Sequence, residues 1–396
     1  MVYIDDVVTG LIVFPFIAAL FTFPYVMVQY HRYGSVSKYR SLIIYSFILY
    51  MLIAYFMVIL PLPDRASTVG NTLQDHLNLI PFRQIWLYWH NRVVSWTTLK
   101  EYMSSMALWQ LLFNILLTVP FGIYMHYYFN KSFKRTILLS FLLSLFYELS
   151  QLTALFGIYP GPYRLADVED LICNTLGGAL GFQIAYLFKE ILPSRKEIDE
   201  NCRKEGKIVT GMRRVWAALF DYVGVSILLV FLNGVLYVVM PGYKNYSINT
   251  LVYHWTFFCV CSLLQVLLTK GCTLGHAVCR MILVSKDGSA ASAGQLIKRY
   301  FYLWLFTDLP LILLGLLTGG QFGDINDILT IVLFLASRTY FVIYFVKEAV
   351  LRGERPMAHD RLSGTVYMAV EIPQEDRAEK NKSKKKILFR RTGNES

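Results

Sequence analysis

Three carboxylates in this chain, Glu148, Asp167 and Asp170, sit in or beside apolar runs. Asn114, Gln151, Asn174 and Arg164 accompany them. A carboxylate held in apolar surroundings can give or take a proton, which is general acid–base chemistry. Amides and a guanidinium can orient a polar ligand or hold a phosphate or carboxylate. An ionisable group at the centre of a bilayer costs about 2.5–3.5 kcal/mol on insertion scales, so such groups face a bundle interior or a wet cavity.

Their spacing brings them to one depth. Asn114 falls about two turns into an apolar run that starts near 107. Glu148 and Gln151 lie near the far end of the run 136–156, three residues apart and on one helical face. Asp167, Asp170 and Asn174 follow at i, i+3 and i+7, again one stripe. Arg164 precedes them, after Pro160-Gly161-Pro162, and is the expected partner of Glu148. Glu148, Asp167 and Asp170 are therefore the catalytic candidates, and Asn114, Gln151, Arg164 and Asn174 the binding candidates. The competing account is interhelical hydrogen bonding, at about 0.6–2 kcal/mol per contact.

A second group of charges lies further on. Arg214 and Asp221 are two turns apart on one helical face, and Asp308 and Arg338 fall inside later apolar runs. Pairing of Asp308 or Asp221 with Arg338 would spare each an unpaired burial.

The elements that must carry these groups are membrane helices. The chain has 396 residues, 55% of them apolar and only 16% charged, which implies a polytopic membrane protein rather than a soluble domain. Apolar runs near 7–30, 41–60, 107–129, 136–156, 168–188, 215–240, 251–269, 300–318 and 326–346 are long enough to cross hydrocarbon. The fold class expected is an all-α transmembrane bundle of about nine spans. With the N-terminus outside, the inner loops hold 31 of the 38 Lys and Arg, as the positive-inside rule requires, and the C-terminus lies inside. The first run lacks the basic start and small-residue end of a cleavable signal.

Five spans in 1–189 form one module and four in 213–370 a second, joined by a charged cytoplasmic linker at 190–212. The basic end, 371–396, reads as a disordered cytoplasmic tail attracted to anionic lipid rather than to nucleic acid. Trp86, Tyr88, Trp89 and Trp96 suit the outer interface. Gly177 and Gly181 form a GxxxG pair for close helix approach, and Pro120 predicts a kink in its span. Asp287-Gly288 predicts a turn in an inner loop. The six cysteines show no disulfide pattern, and no Cys/His spacing matches a metal site, so no metal or cofactor is expected.

Several short motifs carry a family resemblance. Asn78-Leu79-Ile80-Pro81-Phe82, Asn114 with Pro120-Phe121-Gly122, Glu148-Leu149-Ser150-Gln151, and Arg164-x-x-Asp167-x-x-Asp170-x-x-x-Asn174-x-x-Gly177 resemble the VanZ-like family over about 40–190. The resemblance implies a part in resistance to teicoplanin and related lipoglycopeptides in Gram-positive bacteria. Arg214-x-x-Ala217-x-x-x-Asp221, Thr273-Leu274-Gly275 and His359-Asp360-Arg361-Leu362-Ser363-Gly364-Thr365 resemble the RDD family over about 208–370, with His276 where that family usually has Lys. Three functions follow as expectations: an envelope protein acting at the outer leaflet, an enzyme on an envelope lipid or lipid-linked precursor with Glu148 as acid or base, and an ion-coupled transporter using Asp221, Asp308 and Arg338. The expected partners are membrane lipid and a lipid-linked precursor or lipoglycopeptide. The oligomeric state is left open.

Overall fold

A computed structural model describes residues 2–90, 95–188, 192–240, 249–317, 332, 339, 342–343, 347 and 356–370. It is mainly helical and divides into two compact units. The first comprises Met1–Phe23 and Ser37–Asp199, and the second Pro24–Val36 and the chain from Glu200 on. The long helix α1 (Val2–Tyr33) contributes to both.

In the first unit, α2 (Lys38–Ile59) starts at the Ser37 cap, whose hydroxyl accepts from Arg40 N. Two short helices follow, α3 (Arg83–His90) and α4 (Trp96–Met103). Next come α5 (Met106–Tyr127), α6 (Phe133–Leu152), a single turn α7 (Ala154–Gly157) and α8 (Val168–Leu187). Ser105 caps α5 and Asp167 caps α8, each accepting a backbone N–H with its side chain. Helix α5 runs unbroken through Pro120. The closing helix α9 (Arg195–Glu205) is tied back to α2 by an ion pair between Arg40 and Asp199.

The glycines of α8 set the packing. A Cβ on Gly177 would fall 2.1 Å from the Ile115 carbonyl, and one on Gly181 2.0 Å from that of Val119. From the α5 side, a Cβ on Gly122 would fall 2.1 Å from the Gly178 carbonyl. Only hydrogen at these positions lets the two backbones touch. Contact at that range allows Thr118 Oγ1 to donate to the Asn174 carbonyl at 2.6 Å across the helix pair.

The second unit holds α10 (Gly211–Val239), α11 (Asn249–Leu268), α12 (Leu274–Val278), α13 (Ala293–Leu317) and α14 (Ala358–Ser363). Gly364 stops α14 in the left-handed conformation.

The described residues are mainly helical, as the all-α expectation requires, and carry two short strand pairs besides. Strand β1 (Leu77–Asn78) pairs in parallel with β2 (Ala166–Asp167). Strand β3 (Met281–Ser285) pairs antiparallel with β4 (Thr365–Ala369). A tight turn does follow β3, where Gly288 N donates to the Ser285 carbonyl. The main partner of β3 nevertheless comes from far along the chain, so turn chemistry alone cannot reveal it.

Among the described residues, four helical segments are long and apolar enough to cross a membrane: Asp5–Tyr33, Lys38–Ile59, Leu108–Tyr127 and Gly211–Val239. Helices α6 and α8 have the length, at 20 residues each, but carry the polar side chains of the candidate site. Most of the run 326–346 and all of the basic tail 371–396 lie outside the described residues.

Candidate functional site

The C-terminal end of α2 organises the site. It runs into Pro61-Leu62-Pro63, and prolines have no N–H to offer its last carbonyls. Side chains from elsewhere supply the donors. Gln151 Nε2 donates to the Val58 carbonyl at 2.9 Å, and Arg164 NH1 donates to the same oxygen at 2.7 Å. Tyr163 Oη donates to Ile59 O at 3.2 Å, and Arg164 NH2 donates to Leu60 O. Arg164 is thus a cap for α2. The expected Glu148–Arg164 pairing is replaced by these carbonyl contacts.

Glu148 finds its partner in the backbone. Its Oε2 accepts from Asp167 N at 2.9 Å. The Asp167 carboxylate accepts from Glu169 N at 2.9 Å and from Asn78 Nδ2 at 2.8 Å. Phe82 N donates to Glu169 Oε2 at 3.1 Å. These bonds strap residues 77–82 over the N-terminus of α8. Asp167 is therefore a cap and a clamp for the loop.

The other six predicted residues meet. Asn114, Glu148, Gln151, Arg164, Asp170 and Asn174 line one cavity of about 310 Å³, together with Val58, Trp109, Phe113 and Tyr147. Asn114 Nδ2 donates to Asp170 Oδ1. Asn174 Nδ2 donates to Ser144 Oγ at 2.9 Å, and Ser144 Oγ donates to the Asp170 carbonyl at 3.3 Å. Tyr147 Oη and Asn174 Oδ1 are buried without a hydrogen-bond partner.

Sequence reasoning missed Tyr147, Trp109 and the clamp role of Asn78. Ser140, Ser144, Tyr147 and Gln151 share one face of α6 at helical spacing, and that polar stripe was the available signal. Trp109 and Phe113 are four residues apart, with ring centroids 6.0 Å apart.

In the second unit Asp221 and Arg214 are held by their neighbours. Asp221 Oδ2 accepts from Thr273 Oγ1 and Oδ1 accepts from Gly275 N, each at 2.6 Å. Asp221 therefore holds the N-terminus of α12 and finds its partners without a cation. The guanidinium of Arg214 stands 5.3 Å from the Tyr367 ring centre. Arg213 is fully buried and donates to the carbonyls of Gly206, Ile208, Cys279 and Arg280. A buried ion pair absent from the sequence reading joins Arg299 to Asp360. Arg299 also donates to Tyr367 Oη at 2.6 Å. Asp308 lies on helical backbone in α13, but its side chain and all of Arg338 lie outside the described residues, as do the pairings proposed for them.

Two histidines flank this pair outside the spans. His276 closes a capping box on α12, with its Nδ1 accepting from Thr273 N at 3.2 Å. Burial, then the nearby Arg299 charge, pushes its imidazole down to about 3. Burial and the same Arg299 charge hold His359 well below the usual histidine range.

Residues 47–189 match the VanZ/LLP1 family, and residues 209–364 match the RDD family. The chain carries a VanZ-like domain and an RDD domain in tandem. The cavity belongs to the VanZ-like domain, and the Arg299–Asp360 pair joins RDD helix α13 to α14. No curated protein and no solved structure matches the chain. Family membership and the apolar helices together make this a membrane protein.

Proposed function

We propose that the chain is a multi-pass protein of a Gram-positive cell membrane whose VanZ-like cavity acts at the outer leaflet. There it lowers susceptibility to teicoplanin and related lipoglycopeptides. Nine spans run N-out and C-in, with the VanZ-like domain in 1–189, a linker at 190–212, the RDD domain in 213–370 and a basic cytoplasmic tail at 371–396. The observation that carries this reading is the convergence of six polar side chains on one cavity. They come from the first half of α5, the end of α6, the loop before β2 and the start of α8, beside the C-terminal end of α2. That is the end of the bundle bearing the loops 60–105 and 153–167. The Lys/Arg-poor character of these loops favours the outer side.

The drug's precursor target and its lipid anchor lie on that side, so membrane lipid, a lipid-linked precursor or the lipoglycopeptide itself are the partners this depth favours. Complementation of a deletion strain by wild type and by Glu148→Gln, at matched membrane levels, tests the proposal. Loss of protection in the variant supports it, and full protection refutes the site.

One observation favours a second reading. Glu148 and Asp170 line the same cavity, as a paired acid and base would in an enzyme acting on an envelope lipid or lipid-linked precursor. Turnover of such a lipid by purified protein, lost in Asp170→Asn, distinguishes it. The transporter reading is weakened by Asp221, whose two oxygens are bound to α12.

A further inference from the structure

We infer that the VanZ-like cavity takes the ammonium end of a membrane amphiphile, whose chain leaves over Trp109 and Phe113. The inference rests on the outer-leaflet site proposed above and names the class of ligand it holds.

The argument is a count of donors and acceptors. Three of the four amide side chains lining the cavity donate to the protein itself: Asn114 to Asp170, Gln151 to Val58, and Asn174 to Ser144; the fourth, Gln110, is exposed beside Trp109 on α5. Arg164, the cation lining the cavity, directs NH1 and NH2 to the Val58 and Leu60 carbonyls. Acceptors remain. Glu148 and Asp170 each use one carboxylate oxygen in the bonds described, and each carboxylate has a second. Two carboxylates facing one tethered guanidinium make the cavity acceptor-rich and acidic.

A phosphate would meet both carboxylates and find the Arg164 fork engaged elsewhere. A primary ammonium brings three donors and a positive charge, which these acceptors complement. The rim is of the opposite character. Trp109 and Phe113 are each a little under half exposed and belong to α5, one of the helices apolar enough to face lipid. An aromatic rim on a lipid-facing helix suits an acyl or alkyl chain.

The test uses the full-length protein in phosphatidylcholine nanodiscs, where no primary amine competes. The probes are dodecylammonium and dodecyl phosphate with brominated chains, and the readout is quenching of Trp109, isolated by difference from Trp109→Phe. We expect saturable quenching by the ammonium probe and none by the phosphate. Glu148→Gln and Asp170→Asn should each weaken ammonium binding by about tenfold, the scale of one charge-assisted hydrogen bond. Ethanolamine, which has the head and no chain, should compete only at far higher concentration.

Equal or tighter quenching by the phosphate probe overturns the proposal, as does indifference of a folded Glu148→Gln protein. Ethanolamine competing as well as the alkyl probe refutes the amphiphile and leaves a free amine. The wild-type comparison of the two probes decides the ligand class even if a carboxylate variant does not fold. Ammonium selectivity without any effect on drug susceptibility would sink the resistance reading alone. Protection lost in Glu148→Gln without ammonium selectivity would sink this inference alone.

Discussion

In the RDD domain Arg299 meets Asp360, and Asp221 is filled by Thr273 and Gly275. In the VanZ-like domain Glu148 and Asp170 share a cavity with a guanidinium that is turned away to backbone carbonyls. Both domains bury charge, but the RDD charges hold an α12 cap and an α13–α14 contact in place. The VanZ-like carboxylates line open volume, each with one oxygen outside the bonds described. The difference separates a polar core from a polar site. Buried charges with protein partners account for stability, and carboxylates that line a cavity can take a ligand.

Breaking the RDD ion pair should have the largest effect on folding. Asp360→Asn leaves Arg299 buried without its counter-charge and should cost about 3–5 kcal/mol. Replacing both partners by apolar residues should recover most of that loss. Thermal unfolding of the purified single and double variants measures it. If Asp360→Asn unfolds at the wild-type temperature, the pair is not structural.

Glycine packing in the VanZ-like domain comes next. Gly177→Ala would push a methyl into the Ile115 carbonyl and should destabilise by about 3 kcal/mol, at the upper end for overpacking. The cavity lies on these same helices, so probe binding should fall in parallel.

Acid should act on the RDD domain through its histidines. His276 titrates near 3 when folded and near 6.5 when unfolded. Within that window the unfolded chain binds the extra proton, so stability is fully present above the unfolded value and falls as pH drops toward the folded one. The expected slope is about 1.4 kcal/mol per pH unit for each such histidine, and His359 adds a second contribution of the same sign. Unfolding temperatures from pH 8 to pH 4 should be flat at first and then decline. His276→Gln should flatten the decline.

The smallest effect is expected from Thr118→Val, which removes the 2.6 Å bond to the Asn174 carbonyl. It should cost about 1 kcal/mol. A larger loss would mean that this bond also orients Asn174 for the cavity.

The VanZ-like cavity was legible because helical period and span depth are readable from spacing. Glu148 with Gln151, and Asp170 with Asn174, needed only the i, i+3 and i, i+4 rules. The close approach at Gly177 and Gly181 was legible for the same reason. The partner of Arg164 was not. It follows from the carbonyls that Pro61 and Pro63 leave without donors, an accounting that needs the three-dimensional return of residues 163–164 to the end of α2. The β3–β4 pairing and the Arg299–Asp360 contact join segments more than sixty residues apart, and no local pattern announces either. Asn78 stood in a motif, but its clamp on Asp167 depends on the β1–β2 register.

The most direct test of the central claim is teicoplanin susceptibility in a deletion strain complemented with wild type or with Glu148→Gln at equal membrane abundance. The account predicts protection by wild type and none by the variant. Equal protection by both would contradict a functional role for the cavity.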